Sequence, residues 1–321
     1  MDLTTRYLGL DLRNPIVASA GPHGRTVEGV QRLADAGVGA VVLASLFEEQ
    51  LERGGGESAP TGGQRHGPLG YLELIRKAAA AVDVPVIASL NGCTTGGWTS
   101  YAAQMQEAGA RAVELNLYFP QADPLLPGRE FEQRHIEVLT SVKAAVTIPV
   151  AVKIAPYLSS PGELALRLDR VGADGLVLFN RFMQTGIDPE ALNVEAAFEL
   201  SRPADAAFGR AWIARLRGLV GASLAASTGV DQAADVAAYL LAGADVVMTT
   251  SALLRHGPEH AGTLLSGLIA WMRRKGFEDL DQVRGRLAGD AARGVDADRD
   301  RTGYLTALQK ASGKYVLGEG R

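Results

Sequence analysis

Short apolar runs recur along the chain, each closing on a small or polar residue and each followed by a stretch with helical spacing. They read PIVASA (15–20), AVVLAS (40–45), PVIASL (85–90), AVELNL (112–117), PVAVKI (149–154), GLVLFN (175–180), SLAA (223–226) and DVVMT (245–249). Helical spacing follows over 26–36, 71–82, 98–108, 131–146, 162–171, 211–219, 232–241 and 259–273. Near-continuous apolar strands indicate a parallel sheet covered on both faces. Eight strand–helix units are the number that closes a (β/α)8 TIM barrel, so the predicted class is α/β. An open doubly wound sheet is the rival, and no GxGxxG follows the first strand. Four helices hand over to the next strand through AGVGA, AGARA, VGADG and AGADV, where glycine suits a left-handed C-cap. Thr26 is the expected N-cap of the first helix.

Residues 7–12 alternate and predict a short N-terminal hairpin ahead of the barrel. Residues 1–277 are read as the barrel. Residues 278–321 are read as a tail with a helix at 280–287 and a last short helix at 304–311, packing on the barrel or on a neighbouring subunit.

Composition narrows the function classes. A net charge of −4 with dispersed arginines gives no basic face for nucleic acid. Cys93 is the single cysteine, which excludes an intrachain disulfide and a cysteine metal cluster. The charged N-terminus and the lack of a long apolar run predict a soluble cytoplasmic protein that takes a small-molecule substrate.

Chemistry is expected at the C-terminal ends of the strands. Lys153 interrupts an apolar strand, where a lysine is rarely buried without a role. It suits either an imine-forming amine or a fixed cation beside an electron-rich ring. Asn116 and Asn180 sit in apolar strands and can orient a ring edge. Ser45 and Asn91 end the second and third strands. The SLAASTG and DVVMTTS words end in Ser/Thr/Gly, and their backbone N–H groups suit a phosphate. Cys93, Tyr118, His23 and His66 are candidate proton carriers; inert cysteine, aromatic wall and solvated histidine are the plainer readings. Glu48, Glu49 and Glu52 read as a solvated helical face.

These strand ends resemble the dihydroorotate dehydrogenase family of FMN-binding barrels, particularly its dihydroorotate dehydrogenase-like branch. The matching words are NPIVASAG (14–21), ELNLYFP (114–120), VAVKIAP (150–156), GLVLFN (175–180), STGV (227–230) and AGADVVMTTSALLRHGP (242–258). The resemblance implies FMN as cofactor. It implies that Ala20 and Gly21 lie against the ring and that Lys153 stands at its N1/O2 edge. Asn116 and Asn180 would face the ring, and Thr228, Gly229, Thr250 and Ser251 would hold the phosphate. Ser45 and Asn91 are counted with the cofactor residues, and Lys153, Tyr118 and Cys93 with the catalytic ones. A soluble electron acceptor or partner subunit, and a homodimer, go with this reading.

Two departures stand out. The family's TKS lysine is matched by Ala44 in Leu43–Ala44–Ser45, and the cysteine base of NxSCPN is matched by Phe119. The expectation is therefore an FMN-dependent oxidoreductase passing hydride between flavin N5 and a small substrate other than dihydroorotate. An FMN-binding protein without dehydrogenase activity, and a lyase using a Lys153 imine, are the other readings.

Overall fold

The computed structural model describes residues 1–52, 67–92, 98–117, 119, 124–181, 184–197, 199–288 and 297–316. Eight parallel strands close on themselves: β3 (Ile16–Ala18), β4 (Ala40–Val42), β6 (Val86–Gly92), β7 (Ala112–Leu117), β8 (Val150–Ile154), β9 (Gly175–Leu178), β12 (Ser223–Ala226) and β13 (Val246–Thr249). Closure comes from the β13–β3, β3–β4 and β4–β6 ladders, the last pairing Val41 with Val86. A two-residue strand β5 (Leu46–Phe47) extends the β6 edge at the top. The architecture is the (β/α)8 barrel that the periodicity predicts.

Helices α1 (Val27–Asp35), α3 (Pro68–Ala81), α4 (Trp98–Glu107), α5 (Gly128–Ala145), α6 (Pro161–Arg170), α7 (Ala206–Leu216), α8 (Ala233–Ala242) and α10 (His260–Lys275) ring the strands. Short helices α2 (Glu48–Glu52) and α9 (Ser251–His256) lie in strand–helix connections. Thr26 caps α1, its hydroxyl accepting from the Gly29 N–H at 3.1 Å. The four glycine handovers behave as expected, with φ of +99° at Gly37, +103° at Gly109, +94° at Gly172 and +116° at Gly243. Two of them carry an aspartate that caps a neighbouring strand. Asp174 accepts from the Val150 N–H at 2.7 Å, and Asp245 from the Leu224 N–H at 2.8 Å.

Strand alternation splits the core in two. Outward residues such as Val113, Leu115 and Leu117 pack under the helices. Inward residues, among them Val17, Ile87, Ala112, Ala151 and Met248, fill the bore. An antiparallel pair, β1 (Thr5–Tyr7) and β2 (Leu10–Leu12), forms the predicted hairpin and plugs the lower end. Its turn places Leu8 at φ +55° and Gly9 at φ +73°, the left-handed pair of a two-residue hairpin loop. Leu8 is buried in that conformation, and the bond from its N–H to Ser223 Oγ at 3.1 Å helps hold the turn. Gly175 makes the room: a Cβ there would lie 2.5 Å from Leu8 Cδ2.

Two expectations need correction, and one hairpin was not foreseen. Residues 280–287 form turns, not a helix; the segment is held by backbone bonds from Gly285 to Leu240 and from Leu287 to Leu241. The last helix is longer than predicted, Ala297–Val316. The excursion after β9 contains an antiparallel hairpin, β10 (Gln184–Asp188) with β11 (Asn193–Ala197), which exposes Ile187, Leu192 and Val194. No helix among the described residues is long and apolar enough to cross a membrane.

Candidate active site

The inward positions turn polar toward the strand C-termini, where a cavity of about 740 Å³ opens. Ala20, Gly21, Ser45 and Asn91 line it from β3, β4 and β6. Asn116, Lys153 and Asn180 line it from β7, β8 and the end of β9. Thr228, Gly229, Thr250 and Ser251 line it from the last two strand ends. The structure thus brings together in one space all eleven residues that the sequence assigns to a cofactor.

Lys153 is 5% exposed, and its Nζ donates to Ser19 Oγ at 2.9 Å. Glu114 Oε1 lies 3.7 Å from the same nitrogen. One strand over, Asn180 Nδ2 donates to Asn116 Oδ1 at 2.7 Å, which fixes both amides. On the opposite wall Ser45 Oγ and Ser89 Oγ are 2.9 Å apart, while the Tyr71 hydroxyl, from α3, bonds both backbone groups of Ser89.

The far end of the cavity is a hydroxyl and backbone cradle. Thr228 and Gly229 are successive left-handed residues, with φ of +78° and +72°. For a β-branched residue this conformation is strained, and such strain concentrates at ligand clamps. The Thr228 hydroxyl donates to Phe179 O at 2.9 Å and helps hold the turn. Ser201 bridges the two loops: Gly229 N–H donates to Ser201 Oγ at 3.1 Å, and Ser201 Oγ bonds Ser251 Oγ at 3.0 Å. Thr250 Oγ1 bonds Ser19 O at 2.8 Å, tying β13 to β3. A Cβ on Gly21 would lie 2.4 Å from Thr250 Cγ2, so only glycine lets the first strand pass this close.

Other candidates lie elsewhere. Cys93, Tyr118 and His66 lie outside the described residues. His23 is not part of the lining; its Nε2 sits 3.3 Å from Leu253 O. Arg181 lines the cavity but is tied to Asp205 at 2.6 Å and to Glu199 O at 2.8 Å. Glu49 is exposed, whereas Glu48 is buried, against the expectation of a solvated face, and the Glu52 side chain lies outside the described residues.

Phe119 does not line the cavity. Its ring is 2% exposed and packs edge-on against Phe131 (5.8 Å) and His135 (4.7 Å) in the layer between β7 and α5. Burial there pushes the His135 pKa down to about 4.

Three lining or supporting residues escaped the sequence reading. Glu114 is a charge inside an apolar strand, the same signal that marked Lys153. Ser201 and Arg25 come from loops without periodicity. Arg25 lines the cavity, and its Nε is buried with no hydrogen-bond partner among the described residues. Gly24 O accepts from Ala44 N–H at 3.2 Å, which seats this turn directly over β4.

Paired amides, a buried lysine and a two-loop cradle at one mouth of a closed eight-stranded barrel define a (β/α)8 barrel with a polar, ligand-sized cavity at its strand C-termini. The family described as dihydroorotate dehydrogenase matches residues 2–272. The catalytic subunit of dihydroorotate dehydrogenase B (NAD(+)) from Methanothermobacter thermautotrophicus is 30% identical over 90% of this chain and 99% of its own length. The putative dihydroorotate dehydrogenase A (fumarate) of Aeropyrum pernix is 26% identical over 88% of this chain and 97% of its own. The NAD-dependent dihydropyrimidine dehydrogenase subunit PreA of Escherichia coli is 25% identical over 94% of this chain and 81% of its own. The chain belongs to the dihydroorotate dehydrogenase family of flavin oxidoreductases. Proteins of this family bind FMN, and the lysine, amides and cradle of this cavity fit that group.

Proposed function

We propose that this protein is an FMN-dependent oxidoreductase acting on a small substrate other than dihydroorotate. Bound FMN supplies a hydride acceptor and donor at N5. In this reading Lys153 holds its positive charge at the N1/O2 edge, where Ser19 fixes its nitrogen. Asn116 and Asn180, locked to each other, orient the ring through their remaining donors and acceptors. Thr228–Gly229 and Thr250–Ser251 take the phosphate, with Ser201 as the hydroxyl between the two loops.

The observation that carries the substrate reading is the side to which Phe119 turns. The residue matching the family's base is an apolar ring buried against Phe131 and His135, and the residue matching its second lysine is Ala44, which brings no charge to the lining. Loss of a general base typically lowers a rate by ~10²–10⁴-fold. Tyr118 and Cys93 remain the proton carriers proposed for the substrate side, and Arg25 offers donors there. Relatives named as subunits support a partner subunit as the route for electrons, with a soluble acceptor as the alternative; a homodimer is the proposed assembly. The same two departures favour a second reading, an FMN protein without dehydrogenase activity.

The test is anaerobic mixing of the yellow, FMN-loaded protein with dihydroorotate, and separately with dihydropyrimidines lacking its carboxylate. Bleaching by dihydroorotate at a dehydrogenase's pace overturns the substrate reading. Bleaching by no donor, with dithionite still reducing the flavin, favours the second reading. Colourless protein that takes up no FMN removes both.

A further inference from the structure

Glu114 is a buried acid beneath the cavity whose presence the site has not yet explained. It lies on β7 facing the bore, one inward position below Asn116 and level with Ser89 across the ladder. It is 0% exposed, and neither carboxylate oxygen has a hydrogen-bond partner among the described residues. The contrast with Asp174 and Asp245 is instructive. Those acids have a structural task, each accepting a strand N–H and a basic side chain. Glu114 caps nothing. Around it are Ala112, Ala151 and the other apolar residues of the bore.

A carboxylate in such surroundings is strongly unfavourable unless a charge compensates it. The compensating charge is Lys153, whose Nζ stands 3.7 Å from Oε1. That gap exceeds a hydrogen bond, and the ammonium spends its close contact on Ser19 instead, at 2.9 Å. Glu114 therefore does not bind the lysine tip. It sits beneath it as a counter-charge, while Ser19 takes the tip's hydrogen bond.

We infer that Glu114 is a positioning residue for Lys153, a buried counter-charge that holds the ammonium at the cavity floor and limits the positive charge the site presents to the cofactor. The inference rests on the reading in which Lys153 faces FMN. Under it, the protein keeps its flavin less oxidising than an uncompensated lysine would.

The test uses the full-length, FMN-loaded protein and its Glu114→Gln variant, which keeps shape and removes charge. Two readouts are taken without substrate: the midpoint potential of the bound flavin, and the dissociation constant of its sulfite adduct. Removing one buried unit charge at an effective dielectric near 20 is expected to shift each equilibrium on the order of tenfold. Sulfite binds about tenfold tighter, and the two-electron potential rises by about 30 mV. In a Lys153→Met background the same substitution loses at least half its effect, because the contacting pair is coupled. Unchanged potential and sulfite affinity in Glu114→Gln overturn the inference, as does an equal effect in both backgrounds. A colourless wild-type protein sinks instead the functional reading beneath it. If Glu114→Gln does not fold, the doubly neutral Glu114→Gln/Lys153→Met variant decides. Recovery of folded, FMN-loaded protein supports the pair, and continued collapse overturns it.

Discussion

Placing a cysteine at position 119 is the most direct trial of the proposal that this site departs from its family. Strand alternation places Ala112, Glu114 and Asn116 toward the bore and Leu115 and Leu117 toward the helices, and Phe119 continues the outward series. A thiol at 119 would therefore face Phe131 and His135, not the cavity. Phe119→Cys is expected to cost stability without creating a base. The ring is 2% exposed and makes two edge-on contacts, with centroids at 5.8 and 4.7 Å. Truncating a buried phenylalanine to alanine costs about 3–5 kcal/mol, and a retained sulfur recovers part of that. We expect roughly 2–3 kcal/mol, including the lost aromatic pairs at about 0.5–1.5 kcal/mol each. For a chain of 321 residues that is a fall in Tm of about 3–5 °C. Phe119→Leu, which keeps an apolar filling, should lose about half as much. Thermal melts of the three proteins and anaerobic mixing of each with dihydroorotate form the assay. A Phe119→Cys protein that melts with the wild type, or whose flavin is bleached by dihydroorotate, refutes the argument from alternation.

Two further outcomes follow from the same geometry. His135 is held neutral to about pH 4 in the folded barrel, whereas an unfolded histidine titrates near 6.5. The unfolded chain thus binds the extra proton first, and stability that is full above pH 6.5 is lost as the pH falls toward 4, by up to about 3 kcal/mol. Urea melts at pH 7.5 and 4.5 should show a smaller acid loss in His135→Phe; equal losses would remove His135 as a cause. Gly229 holds φ +72°, and a Cβ there would lie 2.6 Å from Ala206 N. Gly229→Ala should weaken FMN binding by roughly tenfold or more through a misshapen cradle, at a stability cost of about 1–3 kcal/mol; unchanged affinity in a fluorescence titration of the apoprotein would remove the cradle from the phosphate site.

Much of this was legible because two periods dominate the chain. Apolar runs at strand length set the barrel, and the four glycine handovers mark where four of the strands begin. Lys153, Asn116 and Asn180 stood out as polar residues in apolar strands, and the cavity gathers them. Glu114 carries the same signal in AVELNL, one inward position deeper than the strand end where chemistry is expected. Phe119 was read by its position in a motif; the period-two pattern of its own strand already pointed it outward. Ser201 and Arg25 lie in connections with neither period, and only the folded chain brings them to the cavity. The β10–β11 hairpin was obscured by an acidic, proline-containing turn and by Ile187, Leu192 and Val194, whose apolar side chains stand exposed.

The hairpin plug at the lower end of the barrel makes electron traffic one-sided. Tyr7, Leu8 and Leu12 fill the bore from below, and Tyr7 brings a hydroxyl whose ionisation is suppressed by burial, with Glu114 and Asp245 adding to the effect. Small reactants that exchange hydride with a cofactor in this cavity then enter from the rim formed by the strand C-termini. On the proposed reading, the two halves of a redox cycle become consecutive visits to one threshold, and a partner subunit that takes electrons by contact settles beside the substrate's way in, sharing that rim.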